Sequence, residues 1–243
     1  MQPAGAGDIL FEQSIAQDFV DEGFKVIWPV ETVYASLSKH FPNIAMVDKS
    51  LISIDYESME DHEVNGARII PMRFTDRIMK LPYVDCMKSK YMYLEKDWTK
   101  WKENCKIVRD AEAEKRLYYE VLKLKDGENY NFISEQFMTG GKLVNQIKVE
   151  NGMKNVYMTF VPGYTLIDWL MVMERATTIH AISSSCLYLF ELYQMKAHQH
   201  DQIHLYVRRP VEHNHDNYKY LLSKTGYVLM PMELRILNKR IRT

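Results

Sequence analysis

The sequence predicts an α/β protein made of two Rossmann-like domains that face a cleft, with the first strand short or missing. Three observations lead there. Short apolar runs bounded by turn residues alternate with amphipathic stretches, as βα units require. A glycine turn, Gly5-Ala6-Gly7-Asp8, opens a helix near the start, where a nucleotide-binding fold puts its phosphate turn. A strand over Thr178–Ile182 runs late in the chain into Ser183, Ser184 and Ser185 and then a second helix.

Composition bounds the possibilities. The chain has 243 residues, 47% hydrophobic and 26% charged, enough for one large domain or two small ones in a soluble globular protein. A formal net charge of -1 gives no basis for a non-specific grip on nucleic acid. No nucleic-acid partner is expected, and at most peripheral membrane contact through the basic stretch from Arg235 to Arg242. Cys86, Cys105 and Cys186 are widely spaced and form no CxxC pair, which favours a reducing compartment and no structural zinc. The apolar run over residues 166–173 is interrupted by Asp168 and is too short for a bilayer. No secretory leader is read at the start, and the expected location is the cytoplasm.

The first domain is expected over residues 1–125. Ile9, Phe11, Ile15, Phe19 and Val20 mark the apolar side of the opening helix, and Gly23 is placed to end it. Residues 24–28 read as a buried strand, 32–40 as a short helix ended by Pro42, and 44–47 as a second strand. The strand that should precede the glycine turn has at most three residues. After Gly5 and Gly7 the third glycine of the dinucleotide fingerprint is absent, so the turn does not argue for NAD. Asp8 is either an acid stabilising the helix N-terminus or a carboxylate facing a cleft. Residues 67–72 read as a strand. Residues 87–101 read as a helix whose Tyr91, Tyr93, Trp98 and Trp101 serve packing rather than a ligand. Residues 112–123 form an amphipathic helix, and the polar turn Lys125-Asp126-Gly127-Glu128 marks the boundary.

The second domain is expected over residues 126–243. Strands are read at 130–133, 143–149, 156–160 and 203–207, with helices at 166–175 and 217–223. The serine corner has two readings. Its backbone N–H groups and hydroxyls suit an anion, and equally Ser183 or Ser184 is a plain N-cap. The helix after it turns Leu187, Phe190, Leu192 and Met195 to a core.

The Gly-Asp-Ile-Leu turn (residues 7–10), the loop Asn131-Phe132-Ile133-Ser134 through Thr139-Gly140-Gly141-Lys142, the helix Asp168–Ala176 and the Ile179–Leu189 corner come in one order. Together they resemble the GT-B glycosyltransferases related to the ADP-heptose:lipopolysaccharide heptosyltransferases. The resemblance covers most of the chain, which is shorter than that family's pattern and lacks its first strand.

The resemblance implies a transferase working on a nucleotide-sugar donor and a saccharide or lipid-linked acceptor. Asp8, in the turn with Gly5 and Gly7 on the acceptor side, would be the general base. Ser183, Ser184, Ser185, Thr139 and Lys142 would meet the charge of the leaving diphosphate. His180 would touch the donor phosphate or be a packed histidine. Glu174 and Asp168 would reach the donor or be ordinary helix charges. No Asp-x-Asp triplet occurs, and neither a divalent metal nor another cofactor is expected. A non-catalytic GT-B-like module binding a carbohydrate or protein is the alternative.

A histidine cluster competes for attention: His198, His200, His204, His213 and His215. Its spacing lacks the cysteines or the glutamate helix of zinc motifs, and solvated loop histidines are the expected reading.

Overall fold

The structure is a computed structural model that describes residues 5–51, 62–64, 66–70, 86–135, 147–182, 184–195, 203–206 and 227–230. It divides into two compact units, Met1–Val108 and Arg109–Thr243. Both carry parallel strands, so the protein is α/β.

The first unit begins with α1, Ala6–Asp21. Its end is closed by a paired hydrogen-bond motif. Gly23, at φ 92°, donates its N–H to Val20 O, and Phe24 donates to Phe19 O. The Phe19 and Phe24 rings meet at 6.1 Å across this turn, the apolar contact that accompanies such closures. Phe24 is thus spent on ending the helix, and strand β1 begins later than expected, at Val26–Val30. It pairs in parallel with β2, Ile44–Asp48, and a 3-10 helix over Thr32–His40 joins them. A short antiparallel hairpin, β3 (His62–Val64) with β4 (Ala67–Ile69), follows.

Helix α2, Cys86–Tyr93, packs on α1. The Tyr91 hydroxyl donates to Phe11 O and accepts from the Ser14 hydroxyl at 2.7 Å. Phe11 lies 5.0 Å from the Tyr91 ring and 5.3 Å from Trp101. Tyr91 and Trp101 therefore serve packing, as expected of that aromatic set. The single helix expected over 87–101 is broken. Glu95 takes φ 55°, and a 3-10 turn, Trp98–Lys100, restarts under an Asp97 cap.

The second unit opens with α3, Ala111–Lys115, which continues as a π turn over Arg116–Val121. Arg109 fastens it to α4, Leu170–Glu174, which a 3-10 turn (Ile167–Trp169) precedes. The guanidinium bonds both Glu114, at 2.7 Å, and Glu174, at 2.6 and 2.8 Å. Glu114 in turn accepts from the Met171 N–H at 3.0 Å. These bonds hold α3 inside the second unit, so the turn Lys125–Glu128 also lies within it.

Five parallel strands form the sheet: β5 (Tyr130–Ser134), β6 (Lys154–Tyr157), β7 (Thr178–Ile182), β8 (Ile203–Tyr206) and β9 (Tyr227–Met230). Their spatial order is β6-β5-β7-β8-β9. Helix α5, Cys186–Leu192, follows β7. Register puts Phe132, Val156, Ile179, Ala181, Ile203 and Leu205 on one face, which is the buried apolar core with Trp169, Leu170, Val172 and Phe190. Tyr130 belongs to it and donates its hydroxyl to Val172 O at 2.7 Å.

The opposite face is polar at its centre. Asn131 bonds Asn155 at 2.7 Å and Asn151 at 2.9 Å, and Thr178 donates to Asn131 at 2.6 Å. Ile133, Ile182 and Ile147 close that face near the strand ends. Residues 147–149, the described part of the strand expected over 143–149, make no strand pairing, and strand β9 is an addition to the elements read from sequence. The helix expected at 217–223 lies outside the described residues.

Candidate functional site

Strands β5 and β7 are neighbours, yet the chain leaves them in opposite directions. From β5 it crosses to β6, and from β7 to β8. Such a reversal opens a crevice beyond the carboxyl ends of the two strands, where open α/β sheets bind ligands.

The residues at that point are Ser134, which ends β5, Glu135 after it, and Ser184, Ser185 and Cys186 after β7. Ser134 Oγ lies 3.2 Å from Cys186 Sγ and ties the two strand ends together. The Ser184 hydroxyl also bonds the Cys186 thiol. Burial pushes that thiol up to about 11, with Ser134 and Ser184 pulling the other way. It is neutral at physiological pH and is no nucleophile. Glu135 accepts the Ile147 N–H at 3.0 Å, which ties Ile147 to the end of β5.

The cap of α5 differs from both sequence-based options. Ser185 is the N-cap, in helical conformation (φ −57°, ψ −29°), and its side chain makes no capping bond. The Ser184 and Ser185 carbonyls accept from Leu187 and Tyr188. Helix α5 has seven residues, so its dipole is short. Position at the strand reversal is what makes this corner a candidate. Ser183, Thr139 and Lys142 lie outside the described residues.

His180 is not at the strand end. It is the middle residue of β7, 7% exposed, on the polar face. Its ring stacks on His204 with centroids 4.4 Å apart. Nε2 lies 3.2 Å from Thr178 Oγ1, and Nδ1 lies 3.2 Å from the Tyr206 hydroxyl. Thr178 already spends its proton on Asn131, so Nε2 carries the hydrogen and Nδ1 accepts from Tyr206. Burial first, and His204 second, lower the imidazole to about 4. This is a neutral, packed histidine.

Glu174 precedes β7, at the amino edge of the sheet, and its carboxylate is held by Arg109. The structure brings neither it nor Asp168 to the serine corner. Asp168 is fully buried and accepts from the Thr165 N–H and hydroxyl, at 2.6 and 2.9 Å. A cleft of about 400 Å³ also opens at the amino edge, lined by Tyr118, Asp126, Glu128 and Arg175. Arg175 is already bonded to Asp126 there.

In the first unit, Asp8 sits in the first turn of α1, whose N-cap is Gly5. Gly5 is extended, at φ −163°, and a Cβ there would meet only Asp8 Oδ2, at 3.8 Å. Glycine is therefore not required by conformation at that position. Asp8 has company that sequence reasoning missed. Lys90 of α2 lies 3.7 Å from Asp8 Oδ1 and bonds Glu12 directly. Glu12 is 2% exposed and Lys90 3%. Burial raises the Glu12 carboxyl to about 7, against the pull of Lys90. The available signal was spacing, since Asp8 and Glu12 are four residues apart and share one helix face. For Cys186 and Ser134, no spacing rule links the first residue of a helix to the end of a strand 52 residues earlier.

Among the described residues, no group of three or more His, Cys, Asp or Glu side chains is placed to hold a metal ion. Of the clustered histidines only His204 is described, stacked on His180. No helix among these residues is long and apolar enough to cross a membrane. No protein-family model matches the chain, and neither does any curated protein or solved structure.

Proposed function

We propose that the chain is a GT-B-like glycosyltransferase, moving a sugar from a nucleoside-diphosphate donor to a saccharide or lipid-linked acceptor without a metal. One observation carries the reading: the serine corner lies at the strand reversal of a five-stranded parallel sheet. Crevices of that kind accept nucleotides. The order of motifs that resemble the heptosyltransferase-related enzymes supports it.

In this reading the donor diphosphate rests against Ser184 and Ser185. The sugar's anomeric carbon gains a bond to the acceptor oxygen as its bond to the diphosphate breaks. The acceptor hydroxyl loses its proton to Asp8. Negative charge growing on the leaving diphosphate is met by backbone N–H groups and serine hydroxyls.

Binding of a panel of nucleotide sugars, measured by calorimetry, tests the donor site. Ser184→Ala is expected to weaken the best ligand about 10-fold, the loss of one hydrogen bond to a charged group. Asp8→Asn is expected to abolish turnover while leaving donor affinity unchanged. A purified protein that neither binds nor hydrolyses any member of the panel would refute the proposal.

A further inference from the structure

The loop that follows β6 carries an aromatic side chain set apart from the core. Phe160 is 85% exposed, the most open of the large apolar side chains among the described residues. Single exposed apolar residues are ordinary, but the place of this one is not. Parallel register sets Tyr157 beside Ile133, and the Met158 N–H donates to Ile133 O at 2.8 Å. Strand β6 therefore ends level with Ser134, and Phe160 lies two residues beyond Met158 on the carboxyl side of the sheet. The Met158 sulfur lies 3.5 Å from Cys186 Sγ. The start of this loop, the end of β5 and the start of α5 thus converge on the crevice at the strand reversal.

The loop is held along its length. Val161-Pro162-Gly163-Tyr164 is the sequence of a type II turn, with proline second and glycine third. The Tyr164 N–H donates to Val161 O at 3.1 Å, and Gly163 takes φ 84°. Thr165 then anchors on buried Asp168 through its N–H and its hydroxyl, at 2.6 and 2.9 Å. A phenyl carried on a loop fixed in this way has little freedom to lose when a flat ring lies against it.

We infer that Phe160 is the stacking platform for the base of a nucleotide whose phosphates occupy the crevice. Two residues of chain keep it within about 7 Å of Met158. Strand β6 stands two strand spacings from β7, about 10 Å, with β5 between them. A nucleoside diphosphate bridges a gap of that size, its phosphates at the reversal and its base toward β6. The phenyl has no hydrogen-bonding atom, so it grips the flat face that every base presents and does not choose among bases. This inference rests on the reading of the crevice as a nucleotide site, and not on the transfer of a sugar.

Calorimetry on the full chain tests it with ADP, GDP, UDP and CDP, and with inorganic pyrophosphate as the ligand that has no base. Phe160→Ala is expected to weaken the best-bound nucleoside diphosphate about 10-fold, the scale of loss when a base is deprived of its aromatic partner. Pyrophosphate binding is expected to stay unchanged. A side chain so exposed contributes little to folding, and Phe160→Trp is expected to hold the nucleotide at least as tightly as the wild type. An unchanged nucleoside diphosphate affinity in Phe160→Ala overturns the inference. An equal loss for pyrophosphate also overturns it, since that marks a disturbed loop. A loss seen with a nucleotide sugar but not with its nucleoside diphosphate gives the platform to the sugar ring, and overturns the assignment to the base.

Turnover separates this inference from the transferase reading. Weakened nucleoside diphosphate binding in Phe160→Ala, with no turnover of any nucleotide sugar, supports the platform and sinks the transferase. Turnover with a donor KM unmoved by Phe160→Ala keeps the transferase and sinks the platform. A wild-type chain that binds none of these diphosphates overturns the platform, whatever the nucleotide sugars do.

Discussion

Acid should loosen the sheet of the second unit through His180, and the size of the effect follows from its environment. The ring is 7% exposed and lowered from 6.5 to about 4. Because the folded-state value lies below the unfolded one, the stability from this group is complete above pH 6.5 and is lost as pH falls through about 4. At 1.36 kcal/mol per pH unit the loss is roughly 3 kcal/mol. That is a large part of the 5–15 kcal/mol typical of a domain. His204 is lowered too, by burial, and adds in the same direction. In His180→Gln the loss of stability between pH 6.5 and 4 should shrink by about that amount, whatever the variant costs at neutral pH. Urea midpoints for peptides covering β5 and β7, taken from pulsed hydrogen exchange at one labelling pH, give the comparison. If wild type and His180→Gln lose stability in parallel over this window, the account of the stacked histidines is wrong.

Other consequences are as direct. Arg109→Ala leaves Glu114 buried without its main partner. It should cost about 2 kcal/mol, discounted from the value for fully buried pairs because the Arg109 side chain is 31% exposed. Adding Glu114→Gln should recover part of that loss in urea unfolding. Gly23→Ala meets no atom within 4 Å but must hold φ 92°, so a loss of about 1 kcal/mol is expected from backbone strain alone, read as a lowered Tm. Burial raises Cys105 to about 12 and Cys186 to about 11. Neither should be alkylated by iodoacetamide at pH 8 until the chain is unfolded, which peptide mass mapping will show.

What the sequence revealed was set by how local each cause is. Strand β7 is read from Thr178-Ile179-His180-Ala181-Ile182 without error, because a short buried parallel strand is one uninterrupted run bounded by turn residues. The end of α1 was legible in Gly23, since closure there needs a left-handed residue. The break at Glu95 was not, because a non-glycine residue in that conformation leaves no compositional mark. Strand β9 escaped notice, being only four residues long. His180 and Glu174 show the limit at the site. Both look available in sequence, but one is spent on Tyr206 and Thr178 and the other on Arg109, and such partners come from elsewhere in the chain. Glu12 shows the converse: an acid within a helix reads as solvent-facing, and only the packing of α2 turns it inward.

The row of Asn155, Asn131, Thr178 and His180 that crosses three strands of the sheet has a consequence for how those strands align. Sliding β7 by one residue would carry Thr178 and His180 beneath Trp169 and bring Ile179 up against the asparagines. Each stranded donor or acceptor would then lack its mate, a penalty that a purely aliphatic interior would not impose. A hydrocarbon sheet tolerates several offsets of similar energy, whereas this one accepts a single alignment and so presents Ser134 and Ser184 at matching heights.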